Sequence, residues 1–181
     1  MGRPRIAARV LELGAVTGAS TLYMAIISLV MVADVGRGTK DVALYVGLVA
    51  GLEVPFMLAL PRFTRGIGRP TLILLGAILY ALHVALLPVL AGSPLVWALI
   101  WPAAIGGAMT LTVPIAYLQD LMADRPGAGA SLMAVQRLAG DVIAATCFAL
   151  GTALAGYGTV AVLGVAASLI GAAALWAADR R

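Results

Sequence analysis

Six apolar segments follow one another from Val10 to Ala178 with only short polar turns between them. A hydrocarbon layer about 30 Å thick takes about 20 consecutive apolar residues in helical form, and in oil a helix satisfies its own backbone groups. The segments are Val10–Ala33, Asp41–Leu60, Pro70–Leu90, Leu95–Leu118, Ala128–Gly156 and Thr159–Ala178, each of about that length. Composition agrees: 62% of residues are hydrophobic, 11% are charged and the mean hydropathy is +1.05, whereas a soluble domain carries about 25% charged residues. Alternating strands of the outer-membrane barrel type do not occur, and the first apolar segment is too long for the core of a cleaved signal peptide. The expected fold is an all-α membrane protein. A six-helix domain over residues 10–178 is flanked by a basic N-terminus, residues 1–9, and a short C-terminus, residues 179–181.

Basic residues set the expected orientation. Arg3, Arg5 and Arg9 precede span 1, Arg62, Arg65 and Arg69 follow span 2, Arg125 follows span 4, and Arg180 and Arg181 end the chain. The loops on the other side hold only Arg37 and Lys40. Cytoplasmic loops are enriched in Lys and Arg, so both termini are expected in the cytoplasm of a multi-pass protein of the cell (inner) membrane. Spread along the span ends in this way, the +4 net charge fits a lipid headgroup boundary and not a nucleic-acid partner.

A few ionisable residues interrupt the apolar runs. Span 5 contains Gln136, Arg137 and Asp141, and span 2 contains Glu53. An Arg or Asp at a helix centre costs roughly 2.5 to 3.5 kcal/mol in insertion, so such groups are expected to face protein or water and to mark a working interior. Arg137 and Asp141 stand one helical turn apart and are expected to offset one another in part. Glu53 and Arg137 both fall roughly 13 Å from the expected cytoplasmic ends of their helices. They are therefore expected to be level, and to pair within one chain or across a dimer interface. Their pairing would be either a structural ion pair or a gate, in which Glu53 or Asp141 takes up a proton and frees Arg137. Gln136 is placed to bond a substrate hydroxyl or a neighbouring helix, and Tyr23 to line a cavity. Pro55 and Pro114 are expected to kink spans 2 and 4. Tyr117 reads as an interfacial anchor, His83 as a hydrogen-bonded neighbour contact ahead of a proton relay, and the Gly14–Gly18 pair as a packing device.

Enzyme chemistry finds little footing. The sequence lacks HExxH, GxSxG and P-loop motifs, and its one His and one Cys offer no metal-ligand set or disulfide. No cofactor or metal is expected.

Two stretches resemble a known family. Ala50-Gly51-Leu52-Glu53-Val54-Pro55-Phe56-Met57-Leu58, and Tyr117-Leu118-Gln119-Asp120-Leu121-Met122 followed by Gly127 to Arg137, are similar to the C-terminal half, helices seven to twelve, of Set-type sugar efflux transporters of the major facilitator superfamily. Gly68-Arg69 also resembles the second copy of that superfamily's basic loop motif, with Arg65 where the fuller motif has Asp. The resemblance implies half of a twelve-helix carrier with a 3+3 inverted repeat. It further implies proton-coupled alternating access and export of sugars or related small molecules. The chain departs from the pattern by supplying six spans, which calls for a second six-helix half, either another copy or a separate N-terminal half. Asp141 falls where relatives carry an uncharged residue, so its role is not carried over. A multidrug efflux half and a non-transporting membrane subunit are the alternatives.

Overall fold

The computed structural model describes residues 3–123 and 126–180. Asp124, Arg125 and Arg181, used above in placing the loops, lie outside the described residues, as do Met1 and Gly2. Among the described residues the chain is all-helical, with six helices long and apolar enough to cross a membrane. These are α1 (Arg3–Ser28, continued by a π-helical turn Leu29–Asp34), α2 (Thr39–Phe63), α3 (Arg69–Leu90), α4 (Ile100–Leu121, preceded by a 3-10 turn Pro94–Leu99), α5 (Pro126–Leu154) and α6 (Tyr157–Asp179).

The boundaries follow local chemistry. Extended Gly68 precedes α3, whose first turn holds Pro70, a residue suited to a position where no amide donor is used. Ser93 Oγ accepts from the Leu95 amide, at 3.2 Å, and starts the turn that leads into α4. At Gly156 the φ of 87° lets α5 reverse into α6 within two residues, a conformation that costs glycine little. Pro55 does not break α2, which runs on through Pro55 and Pro61, and α4 likewise runs through Pro114.

Helix α1 packs against α5 and α6, α4 against α2 and α3, and α3 against α6. Glycines permit the close crossings. A Cβ at Gly106 would meet the Tyr80 amide and the Gly76 carbonyl of α3, and one at Gly171 would meet the Glu12 carbonyl of α1. Two apolar clusters result, one at each end of the bundle. The first gathers Val10, Leu13, Ile73, Leu118 and Leu175 near the chain termini, and the second gathers Ile26, Met31, Tyr45, Leu87 and Val96 at the far end.

Ion pairs close one end and hydrogen bonds of an arginine the other. Arg9 bonds Glu12 at 2.8 Å and Asp179 at 2.7 Å, joining the two terminal helices, while Arg69 meets Asp120 at 2.8 Å between α3 and α4. At the opposite end the Arg37 guanidinium donates to the carbonyls of Ala91 and Ser93, tying the α1–α2 connection to the α3–α4 turn.

Burial is uneven. In their most apolar stretches α2 and α5 bury only 11% and 17% of residues, against 50%, 50%, 61% and 39% for α1, α3, α4 and α6. Leu58, Phe63, Leu150 and Leu154 are among the large apolar side chains left exposed on α2 and α5. An apolar surface of this extent needs lipid or a protein partner to cover it.

Candidate functional site

The site is built on the crossing of α1 and α5. A Cβ at Gly140 would lie 2.8 Å from the Gly14 carbonyl oxygen and 3.0 Å from Thr17 Oγ1, and one at Gly18 would lie 2.9 Å from the Gly140 carbonyl. Only glycine lets the two backbones approach so closely. The Gly14–Gly18 pair is thus spent on a contact inside the chain, in keeping with its reading as a packing device.

This approach sets polar groups of α5 against hydroxyls of α1. Gln136 Nε2 donates to Thr17 Oγ1 at 3.3 Å, and Thr21 Oγ1 donates to Asp141 Oδ1 at 3.0 Å. The two rows on α5 have different surroundings. Gln136 and Gly140 face α1 and are buried, whereas Arg137 and Asp141, each one residue further on, are turned outward and exposed.

Beside the crossing opens a cavity of about 330 Å³ between α1, α4 and α5. Thr17, Ser20, Thr21 and Met24 line it from α1, Thr110, Leu111, Pro114 and Ile115 from α4, and Met133, Gln136, Arg137 and Asp141 from α5. A mostly apolar wall with a few convergent polar groups, at the small end of ligand-site volumes of roughly 300 to 1,000 Å³, is how small-molecule sites combine affinity with orientation. Pro114 has no amide hydrogen, so the Thr110 carbonyl loses its helical donor next to this cavity. Four hydroxyls, one amide, one guanidinium and one carboxylate can together address several hydroxyl groups of a polar ligand.

Arg137 and Asp141 share the cavity but are not within ion-pair distance of one another. Among the described residues neither joins an ion pair. Asp141 instead accepts a hydrogen bond from the Thr21 hydroxyl. Glu53 and Arg137 do not pair within this chain either, since Glu53 on α2 packs its carboxylate against Gly107 of α4 and α2 packs on α4 while α5 packs on α1. Gln136 does bond a neighbouring helix, and it lines the cavity as well.

Tyr23 is not among the residues lining this cavity. It is buried toward α3, edge-on to Tyr80 and His83 with ring centroids 6.1 and 4.8 Å away. His83 is fully buried and bonds Tyr45 Oη through Nδ1 at 3.2 Å, the neighbour contact expected of it. Tyr117 is 8% exposed, packs in the terminal cluster and lines an opening beside Arg69, Asp120 and Asp179 at that end of the bundle.

The hydroxyl row Thr17, Ser20 and Thr21 was not singled out in the sequence. Its spacing of three and four residues on one face of span 1 is the signal that could have found it.

No family model, curated protein or solved structure matches the chain. What the fold defines is an all-helical protein with six helices long and apolar enough to cross a membrane.

Proposed function

We propose that the chain is one half of a membrane carrier of the major facilitator type. It exports sugars or related small polar molecules by proton-coupled alternating access and is completed by a second six-helix half. The observation that carries this reading is the placement of Arg137 and Asp141. Both lie in the middle of an apolar helix, both line a ligand-sized cavity, and both are exposed on a helix that buries little of its surface. Left to lipid, each would cost roughly 2.5 to 3.5 kcal/mol, so a water-filled cleft closed by a partner bundle is the arrangement that accommodates them.

Three of the helix contacts fit a 3+3 inverted repeat, while the α5–α6 contact has no matching α2–α3 contact. Exchanging α1 with α4, α2 with α5 and α3 with α6 turns the α1–α5 contact into α4–α2 and the α1–α6 contact into α4–α3, and leaves α3–α6 unchanged. Gly76 and Gly164 each stand seven residues after the start of α3 and α6 and each meets the exchanged partner helix, α4 or α1. Glu53 and Asp141 occupy neighbouring positions under the same exchange, one on the α2–α4 crossing and one on the α5–α1 crossing. Inverted repeats of this kind place substrate and coupling sites at the repeat interface, near the bilayer midplane. In this mechanism Arg137 is held by a carboxylate across the interface with the second half, and a proton on Glu53 or Asp141 weakens that hold and permits the halves to rock. The lysine and arginine distribution supports cytoplasmic termini.

Counterflow of a radiolabelled monosaccharide series into liposomes tests the reading. Flux with this chain alone supports a self-assembled carrier, and flux only with a second six-span chain supports a split one. A folded chain that enters complexes and gives no flux of sugars under either condition overturns the reading, and flux of lipophilic cations instead would move it to the drug-efflux class.

A further inference from the structure

The end of the bundle that holds the chain termini has an opening of its own, about 340 Å³ in volume, which shares no lining residue with the cavity between α1, α4 and α5. Arg69 and Pro70 line it from α3, Tyr117, Asp120 and Leu121 from α4, and Asp179 from α6. Tyr117 is only 8% exposed, and its Oη is buried without a hydrogen-bond partner, although Asp179 shares the opening. A buried hydroxyl left unpaired is destabilising until a polar atom meets it. Arg69 Nη2 bonds Asp120 at 2.8 Å and Arg9 Nη2 bonds Asp179 at 2.7 Å. Each pair uses one carboxylate oxygen, so both carboxylates keep capacity to accept.

Arg69 also borders a second hollow. A groove of about 280 Å³ runs between α2, α3 and α4, with a mostly apolar wall of Met57, Leu60, Pro61, Leu72, Val113 and Ala116. Arg69 is the one residue common to the polar opening and this groove. Both lie at the level of a lipid headgroup. Asp179 ends α6 and Arg69 begins α3. Trp176, one turn inside the end of α6, donates to Thr71 Oγ1 in the first turn of α3 at 3.2 Å, and the Arg180 guanidinium lies over its ring at 3.6 Å. Indole rings with one polar edge settle at this boundary of a bilayer.

We propose that this end of the bundle binds one phospholipid with a primary-amine headgroup, phosphatidylethanolamine being the simplest. Its phosphate meets Arg69, its ammonium lies among Asp120, Asp179 and Tyr117 Oη, and one acyl chain follows the groove. A guanidinium has five N–H donors, so Arg69 can hold a phosphate oxygen while bonded to Asp120. An ammonium carries three donors and suits three acceptors. The trimethylated ammonium of a choline lipid carries none and leaves the Tyr117 oxygen unpaired. Within these pairs the guanidiniums of Arg9 and Arg69 face the carboxylates of Glu12, Asp120 and Asp179, and this excess of negative charge disfavours an anionic headgroup. Free phosphoethanolamine has the same polar groups, but the groove commits the site to the lipid. The site goes beyond the carrier reading and does not depend on it.

Native mass spectrometry of the full chain in detergent micelles tests it. Titration in turn with dioleoyl phosphatidylethanolamine, phosphatidylcholine and phosphatidylglycerol reads the dissociation constant of the first lipid bound. The ethanolamine lipid is expected to bind more tightly than either of the others by at least about tenfold, the equivalent of one hydrogen bond to a charged group. Tyr117→Phe keeps the ring and removes only an unpartnered hydroxyl. It is expected to fold as wild type does, to weaken the ethanolamine lipid about tenfold and to leave the choline lipid unchanged. Phosphoethanolamine at the same concentration as the lipid is expected to displace none of it. Absence of the ethanolamine preference in wild type, an ethanolamine-lipid affinity indifferent to Tyr117→Phe, or displacement by phosphoethanolamine would each overturn the proposal. Should Tyr117→Phe not fold, the preference of the wild-type chain still decides. None of these readings requires transport, so absence of sugar counterflow would overturn the carrier reading and leave this site untouched.

Discussion

Replacing Gly140 by Ala adds one methyl group at the point where α1 and α5 touch. The new Cβ would stand 2.8 Å from the Gly14 carbonyl, 3.0 Å from Thr17 Oγ1 and 3.3 Å from the Gly18 amide, where ordinary contact begins at 3.4 Å. Two of the three opposing atoms are backbone of a packed helix and cannot swing aside, so the helices must separate by roughly half an ångström or tilt. That displacement takes the 3.3 Å bond from Gln136 to Thr17 past the limit of a useful hydrogen bond and stretches the 3.0 Å bond from Thr21 to Asp141. Overpacking of a close contact costs about 1 to 3 kcal/mol, and interhelical hydrogen bonds in membranes average about 0.6 kcal/mol each. A loss of about 2 to 4 kcal/mol is therefore expected, read as the shift of unfolding in mixed micelles of dodecyl maltoside and sodium dodecyl sulfate. Gly47→Ala is the control, because nothing lies within 4 Å of a Cβ there. It is expected to stay within about 0.5 kcal/mol of wild type or gain up to 1 from helix propensity. If Gly140→Ala is no less stable than that control, the α1–α5 contact does not organise the cavity.

Three further outcomes follow from the same geometry. Glu53→Gln is expected to leave expression intact and to reduce proton-driven efflux at least about tenfold, and an unchanged pH dependence of efflux would remove Glu53 from the coupling step. A double-mutant cycle of Thr21→Val with Asp141→Asn in the unfolding assay should return a coupling energy between about 0.6 and 1.7 kcal/mol, and additivity would deny the bond between them. Gln136→Leu should raise the half-saturation for sugar counterflow about fivefold or more with little change in maximal rate, as loss of a ground-state hydrogen bond requires; a change in maximal rate alone would count against a binding role.

Much of the fold could be read from the sequence because lipid imposes a length on each helix. The ends of α3, α4 and α6 lie within a few residues of the spans read from Pro70–Leu90, Leu95–Leu118 and Thr159–Ala178. Helix α2 runs on to Phe63, past the expected end at Leu60, because Pro61 does not stop it. Which helix meets which was far less legible. A helix facing lipid on one side and protein on the other is apolar all round, so hydrophobic periodicity does not mark the packed face. That is why Tyr23 was expected at a cavity and lies edge-on to Tyr80 and His83 instead. It is also why Glu53 and Arg137, at similar expected depth, proved to belong to different crossings. The small residues carried the missing information: Gly14, Gly18 and Gly140 fix the α1–α5 contact, and with it the hydroxyls that meet Gln136 and Asp141.

The account depends most on what covers the exposed face of α5. Spin labels placed singly at Ala134, Leu138, Asp141 and Ala145, all exposed on that helix, in a Cys147→Ser background in liposomes, measure it through relaxation by oxygen and by a water-soluble nickel chelate. A cleft closed by a second bundle predicts access to the nickel chelate and low access to oxygen at Leu138 and Asp141. High oxygen access with no nickel access along the whole stripe would mean that these charges face lipid, and would contradict the account.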